Sequence, residues 1–477
     1  MKIMPDTKLI RNEFKIRIDI KGWKKMDNNG NLDRRIFGIH FTPIEIFNEY
    51  MLPQVHNYIY NYKWIDLFCG EGNLILPILN IVPKQDRPLF FKEHISCFDI
   101  NQEAVDKAIN NAFNYGIPKE LARENIKVRD TLKDYPEINS KYPIFHITNP
   151  PYLYLGYIRK HKEASNELVY FLGKNKGYQD LYQIALMNDL RHEVKNMIYV
   201  IPSNFLFSDA GTNKIRKDFL RHYKIKSCYI FEKKIFDYTG TNVLIVNFER
   251  TNLLNSKIEF EAYKINSKVE KRKYTLREEN KFKPNNQYSD YLKNKFKRDH
   301  LNVKFYLDYD EIEKNKGDRE VVLLNSKNYV SGQYTKEVFH INDLLYRKIK
   351  SNPLFVRTVD TGSFNGKAGI YPIRDEFDAE GIFVKGNTYR TNPIQIFIEP
   401  ELTEEENHYL MELFNKILND LRGKTDGDFM TTYKYTDNPK YIRKYLGLKQ
   451  VKEILTTINI KDLKDIQEVE EPLKHSY

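Results

Sequence analysis

From Tyr62 to about Phe248 the sequence alternates short apolar runs with longer amphipathic ones, and this rhythm is the strongest constraint on the fold. KWIDLF (63–68), HISCFD (94–99), PIFHIT, NMIYVIP and KIKSCYIF are short and rich in β-branched and aromatic residues. Between two of them lies NQEAVDKAINNAFNYG, where Ala104, Val105, Ala108, Ile109 and Ala112 share one helical face and Gly116 closes the run. LILPILNIV (74–82) reads as a second helix-like run, and TGTN followed by VLIVNF as a closing hairpin. Strands that are apolar on both faces need cover on both sides, and parallel strands need crossover helices. The expectation is an α/β domain with a doubly wound, mostly parallel sheet.

The rest of the chain has a different texture. The first 35 residues are basic, with EFKIRIDI alternating like a strand and NNGN like a turn. After Arg250 the sequence becomes dense in Lys, Arg and aromatics, and later pieces such as REVVLL and PIQIFIEP look like strands. One helix is well marked there. Thr403 and Glu406 form a capping box, and Leu410, Leu413, Phe414, Ile417, Leu418 and Leu421 line one face. A second domain of mixed α and β character is expected, with boundaries at 1–35, 36–250 and 251–477. The 477 residues carry a net charge of +11, which invites an anionic partner such as nucleic acid, or marks only a solvated basic surface. No apolar run reaches membrane-spanning length and no signal-peptide core opens the chain, so a cytoplasmic protein without a membrane partner is expected. Cys69, Cys97 and Cys228 lie far apart, which offers neither a zinc-like spacing nor a disulfide framework, and no metal site is expected.

Three carboxylates follow strand ends in order. WIDLFCGEGNL runs from a strand through an Asp into glycines at 70 and 72, where a tight turn and close backbone approach to a ligand become possible. Such a turn lies at the carboxyl end of a parallel strand, where doubly wound sheets bind ligands. The third glycine of the dinucleotide fingerprint is missing, which argues against NAD. Asp99 ends the next strand, placed to accept from both ribose hydroxyls, and Asp130 in IKVRDTL could accept from an adenine amino group. Each acid alone could cap a helix; three in sequence order are harder to explain that way.

The most unusual stretch is FHITNPPY (145–152). Asn149 is pushed to an extended conformation by the proline that follows. Two prolines then fix their own φ angles and contribute no N–H. The result is a stiff corner with two acceptors, the Asn149 amide oxygen and the Pro150 carbonyl, beside the aromatic face of Tyr152. That set suits a planar base bearing an NH2 group. The plain alternative is a proline turn that ends a strand.

In motif order the chain resembles the amino-group DNA methyltransferases that use S-adenosylmethionine (AdoMet), and within them the gamma class that often accompanies restriction enzymes. FGIHFTP (37–43) looks like the N-terminal cofactor motif, DLFCGEG the glycine motif, FDI the ribose motif, RDTL the third motif and TNPPY the catalytic motif. DLYQIAL, IYVIPSNFL and KKIFDYTGTNVLIVNF look like the later ones. The resemblance covers roughly residues 36–250 and thins between Leu153 and Tyr178.

The resemblance implies a Rossmann-like catalytic domain and a C-terminal target-recognition domain. It implies Thr42 near the methionine moiety, Asp66 and Gly70 around the cofactor, Asp99 at the ribose and Asp130 at the cofactor adenine. Asn149 and the Pro150 carbonyl would accept from the target amino group, Tyr152 would stack on the target base, and Phe236 would pack on its other side. The expected reaction is methylation of N6 of an adenine flipped out of double-stranded DNA, by a monomer on DNA whose cognate restriction endonuclease acts on the same site. Methylation of cytosine N4, or of RNA or protein by a related NPPY enzyme, stays open. So does a DNA-binding subunit with a relic cofactor pocket, which the intact acids and NPPY disfavour. SFNGKAG (363–369) and FVKGNTYR (383–390) are candidate groove-facing loops, or solvated turns.

Overall fold

Strand β1 (Lys63–Asp66) is buried along its whole length and lies inside the larger sheet, with a parallel strand on each side. The computed structural model describes residues 42–208, 211–232, 235, 242–266, 268–284, 286–295, 301–360, 367–386, 392–424 and 446–459. Strands β2 (Ile95–Asp99), β3 (Ile126–Val128), β4 (Ile144–Thr148) and β5 (Asn196–Pro202) join β1 in parallel, in the order β3-β2-β1-β4-β5. Strands β6 (Tyr223–Phe231) and β7 (Val243–Arg250) form the expected hairpin, with antiparallel β7 inserted between β5 and β6. The chain steps outward from β1 to β3 and then returns to β4. The sheet therefore reverses between β1 and β4, and ligands of doubly wound sheets bind at such a reversal, beyond the carboxyl ends of the strands.

Side-chain alternation explains why both faces are covered. Phe145 and Ile147 of β4 face one core with Trp64, Ile198 and Val200, while Met197, Tyr199 and Ile201 of β5 face another. Helix α1 (Gln102–Asn114) buries Ala104, Val105, Ala108, Ile109 and Ala112, the face read from the sequence, and Asn101 caps its start by accepting from the Ala104 N–H. Small residues on that face let the helix lie close to the sheet.

Two elements differ from expectation. LILPILNIV forms a short 3-10 segment, Leu76–Ile81, rather than an α-helix. Pro77 has no N–H to give, and Pro83 blocks continuation. The sheet also continues past Arg250, so the boundary expected there falls inside it. Strands β8 (Lys257–Ile265) and β9 (Val269–Arg277) extend the sheet to nine strands, β8 pairing in parallel with β6. Ile258, Phe260 and Ala262 join the core that holds Cys228 and Ile230.

The remaining described residues build two smaller sheets. Strands β10 (Asn302–Phe305), β11 (Lys316–Val330), β12 (Gln333–Ile341), β13 (Leu354–Arg357), β14 (Gly369–Pro372), β15 (Gly381–Phe383) and β16 (Ile394–Glu399) pair as β10-β16-β13-β14 and β12-β11-β15. The helix Glu404–Lys424 packs Leu410, Phe414, Leu418 and Leu421 into a separate core, with Leu413 and Ile417 at its edge. Its capping box is formed: the Thr403 N–H donates to Glu406 Oε2 at 2.8 Å and the Glu406 N–H to Thr403 Oγ1 at 3.2 Å. Among the described residues no helix is long and apolar enough to cross a membrane.

Candidate active site

The reversal between β1 and β4 brings Asp66 beside Thr148. The Thr148 hydroxyl donates to Asp66 Oδ1 at 2.5 Å, and the Phe68 N–H donates to the same oxygen at 3.0 Å. Oδ2 is fully buried and finds no hydrogen-bond partner among the described residues. Burial pushes the Asp66 carboxyl up to about 6, a shift the Thr148 hydroxyl opposes. An orphaned buried polar atom costs about 1–3 kcal/mol, and more when charged. A cationic ligand at this corner would relieve that cost, and AdoMet carries both an ammonium and a sulfonium.

The glycine turn is built against the second strand. Gly70 and Gly72 both adopt positive φ, 52° and 85°. A Cβ on Gly72 would sit 2.5 Å from Leu76 Cδ1, so position 72 demands glycine on two counts. The Gly70 N–H donates to Asp99 Oδ2 at 2.8 Å and the Asn101 N–H to Asp99 Oδ1 at 2.9 Å. Burial raises the Asp99 carboxyl above its usual range, and those backbone donors work against the shift. Each carboxylate oxygen keeps a further lone pair, so the ribose hydroxyls suggested for Asp99 can still be accommodated.

Thr42 links this turn to the NPPY corner. Its carbonyl accepts from Asn73 Nδ2 at 3.2 Å, and its hydroxyl accepts from Asn149 Nδ2 at 3.0 Å. Asn149 Oδ1 in turn accepts from the Tyr152 hydroxyl, which also lies 2.8 Å from the Val200 carbonyl. Tyr152 is half-buried, its ring edge-on to Tyr182 at 6.3 Å. Pro150 is buried, and among the described residues no donor engages its carbonyl. Asp130 accepts from the Tyr170 hydroxyl at 2.9 Å and pairs with Lys133 at 3.5 Å. Thr42, Asp66, Gly70, Asp99, Asn149, Pro150 and Tyr152 therefore gather around one corner, and Asp130 stands at the end of the neighbouring βα unit. Phe236 lies outside the described residues, as do the N-terminal arm and most of the two loops suggested for groove contact.

Several residues that no single motif pointed to complete the corner. Asp180 Oδ1 accepts from the Leu153 N–H at 2.9 Å, which holds the chain as it leaves the two prolines. Asp180 also precedes helix α2 (Leu181–Arg191), and burial pushes its carboxyl up to about 7. Tyr182 donates to Asn204 Oδ1 at 2.8 Å, joining DLYQIAL to IYVIPSNFL. A buried network lies behind β4. The Leu67 N–H donates to His146 Nε2 at 3.3 Å, so the His146 proton sits on Nδ1 and donates to Asp189 Oδ2 at 2.6 Å. Tyr199 and Tyr135 also donate to that carboxylate, at 2.6 and 2.8 Å. The Thr131 hydroxyl donates to the Leu67 carbonyl at 2.7 Å. Side chains of β4 and of RDTL thus fix both backbone groups of Leu67 just before the glycine turn. Such partners follow from three-dimensional packing: Asp180, Tyr182, Asn204, His146, Tyr199 and Thr131 fall in the quoted motif stretches, whereas Asp189 and Tyr135 carried no sequence signal.

Fold and site together define a doubly wound α/β protein whose carboxylates, glycine turn and amide corner meet at the switch point of the sheet. The family model for N-6 DNA Methylase matches residues 26–337, more than half of the chain, and the protein belongs to that family. No match was found among curated proteins. Among solved structures, the chain is similar to the type I restriction-modification system methyltransferase subunit from Streptococcus thermophilus (18% identity, 47% of each chain covered, TM-score 0.33). It is also similar to a nuclease-deletion mutant of the Type ISP restriction-modification enzyme LlaGI in complex with a DNA substrate mimic. That likeness has 12% identity, 84% of this chain and 46% of the other covered, and a TM-score of 0.45. The chain spans less than half the length of the first solved structures it matches, at 47%, 31% and 44% of those chains.

Proposed function

We propose that this protein is an AdoMet-dependent DNA methyltransferase that modifies N6 of an adenine flipped out of double-stranded DNA. The observation that carries this reading is the Asn149 carboxamide. It sits buried at the end of β4, tied to Thr42 on one side and to Tyr152 on the other, one residue beyond the Thr148–Asp66 hydrogen bond.

The exocyclic nitrogen of adenine is a poor nucleophile because its lone pair is delocalised into the ring. Two acceptors on its hydrogens, Asn149 Oδ1 and the Pro150 carbonyl, favour a pyramidal nitrogen and free the lone pair. AdoMet supplies an already activated methyl group, so the protein's main task is alignment. Asp66, the Gly70 turn, Asp99 and Thr42 hold the cofactor beside that corner, and Asp130 accepts from its adenine. A base inside a duplex cannot reach the corner, so it is flipped out at a cost of a few kcal/mol. The aromatic face of Tyr152 offsets part of that, at roughly 1–3 kcal/mol per stacked base. When the base enters, its amino hydrogen joins the Tyr152 hydroxyl on Asn149 or takes its place, so the buried amide oxygen is not left unpaired. Phe236, in KKIFDYTG, would close the other face of the base.

The part of the chain after the large sheet, with its own cores and two small sheets, is assigned to target recognition within the residues 251–477 expected from sequence. In this reading the enzyme works in the cytoplasm as a monomer on DNA and protects sites that a cognate restriction endonuclease would cut. Incubation with duplex DNA and methyl-labelled AdoMet, followed by nucleoside analysis, tests the reading. N6-methyladenine is the expected product. N4-methylcytosine would overturn the choice of base, label found only in parallel incubations with RNA or protein would overturn the substrate, and no transfer to any of them would overturn the function.

A further inference from the structure

The stretch from Leu153 to Tyr178, where the motif resemblance thins, is a folded strap. A short helix, Leu155–Ile158, and a longer 3-10 segment, Lys162–Phe171, bury Leu155, Ile158, Ala164, Tyr170 and Phe171 in the same core as Tyr199 of β5. Its two ends meet at the NPPY corner. The Leu155 N–H donates to the Gln179 carbonyl at 2.8 Å, beside the Leu153–Asp180 bond. Its far part reaches the third carboxylate. The Tyr170 hydroxyl donates to Asp130 Oδ2 at 2.9 Å, and Lys133 Nζ lies 3.5 Å from the same oxygen and 5.1 Å over the Tyr170 ring. The Tyr170 backbone is itself held: Asn175 Nδ2 donates to its carbonyl at 2.8 Å, and Arg191 Nη1 donates to Asn175 Oδ1 at 2.8 Å. Among the described residues the other Asp130 oxygen receives only a long bond, 3.3 Å, from the Lys133 N–H.

We propose that Tyr170 is a positioning residue for the cofactor, fixing one oxygen of Asp130 so that the other accepts the exocyclic amino group of the AdoMet adenine. The inference rests on the AdoMet reading above. A carboxylate whose rotation is stopped by two donors presents its remaining acceptor at a defined place, and this lowers the ordering cost when the ligand arrives. The strap therefore ties the target-base corner at its root to the cofactor adenine at its far end.

The test uses the full-length protein, calorimetry and two ligands. One is S-adenosylhomocysteine, the other its analogue with hydrogen in place of the adenine amino group. Tyr170→Phe keeps the ring in the core and removes only the hydroxyl. It should weaken S-adenosylhomocysteine by about fivefold, the scale of one hydrogen bond to a charged group's partner, and leave the analogue unchanged. In an Asp130→Ala background the same substitution should add nothing. An equal loss for both ligands, or no loss for either, would overturn the role of Tyr170 while leaving the AdoMet reading intact. A wild type that binds neither ligand would overturn the AdoMet reading and this inference with it.

Discussion

The Tyr152 hydroxyl donates to Asn149 Oδ1, so the residue assigned to stack on the target base also occupies the acceptor assigned to that base's amino group. Asn149 Oδ1 has a second lone pair, and the Val200 carbonyl lies 2.8 Å from the same hydroxyl, so the amino group can enter beside the hydroxyl or displace it. Tyr152→Phe keeps the stacking face and removes the competing donor, so turnover should stay within about fivefold of wild type. Tyr152→Ala removes the face and should lose roughly tenfold to a hundredfold, part of it recovered with an abasic site opposite the target. Steady-state methylation rates decide. A Phe variant as inactive as the Ala variant would give the hydroxyl a chemical task of its own.

Asp66 gives a pH dependence with a definite sign. Its carboxyl is raised from 3.8 to about 6 by burial. The folded state therefore binds a proton more tightly than the unfolded state, and stability falls as pH rises from about 4 through about 6, by about 2–3 kcal/mol in all. A cationic ligand prefers the ionised form, so AdoMet affinity should rise over the same window. Asp66→Asn should flatten the affinity profile and raise the melting temperature of the ligand-free protein at neutral pH. An affinity profile that stays steep in the Asn variant would remove Asp66 from the cofactor site.

Asp99 should behave differently, because it holds the glycine turn as well as the suggested ribose. Asp99→Ala removes the acceptor for the Gly70 N–H and both oxygens offered to the ribose. AdoMet affinity should fall by about a hundredfold or more, the scale of two or three lost hydrogen bonds to a carboxylate. DNA affinity, measured by fluorescence anisotropy, should be nearly unchanged. Asp99→Asn keeps an acceptor and should be intermediate.

The position of β8 and β9 sets where the chain can be cut. A fragment ending at Arg250 would strip β8 from β6 and uncover the part of the core, with Cys228 and Ile230, that Ile258, Phe260 and Ala262 complete, and should be insoluble or unfolded. A fragment ending at Lys283 keeps the nine-stranded sheet, and keeps Phe282 in its core with Arg216 Nε donating to the Lys281 carbonyl at 3.0 Å. It should fold, bind AdoMet and lose the discrimination between specific and scrambled duplex. Circular dichroism and duplex titrations at several salt concentrations read both outcomes. Retained specificity would move target recognition out of the C-terminal part.

Much of this site could be read from sequence because its parts are local. Asp66, Asp99 and Asp130 each end a strand or follow one directly, and the glycine spacing and the two prolines impose their backbone shapes wherever they stand. The helix face of Ala104, Val105, Ala108, Ile109 and Ala112 followed from its period alone. What stayed hidden depends on distant pairing. KIEFEAYKI alternates apolar and polar, but Glu259, Glu261 and the surrounding lysines fit the basic, charged texture expected of the second domain, and its place in the first sheet shows only when β6 is seen beside it. Asp180, Tyr170, His146 and Asp189 act through partners 27, 40, 79 and 43 positions away, and no periodicity reports such contacts. LILPILNIV, read as helix-like, does form a helical segment, but the proline within it limits that segment to a 3-10 turn from Leu76 to Ile81.

The most direct test is a single-turnover measurement on Asn149→Ala with a duplex that carries the fluorescent analogue 2-aminopurine at the target position. The substitution removes the acceptor for the target amino group but leaves Asp66, Asp99 and the glycine turn in place. AdoMet and DNA should still bind, and the fluorescence rise on flipping should persist. On the unmodified duplex, methyl transfer should fall by at least about a thousandfold, the scale of losing a positioned group that acts on the reacting atom. Near-normal transfer in the folded variant would make the NPPY corner a structural turn and contradict the account at its centre.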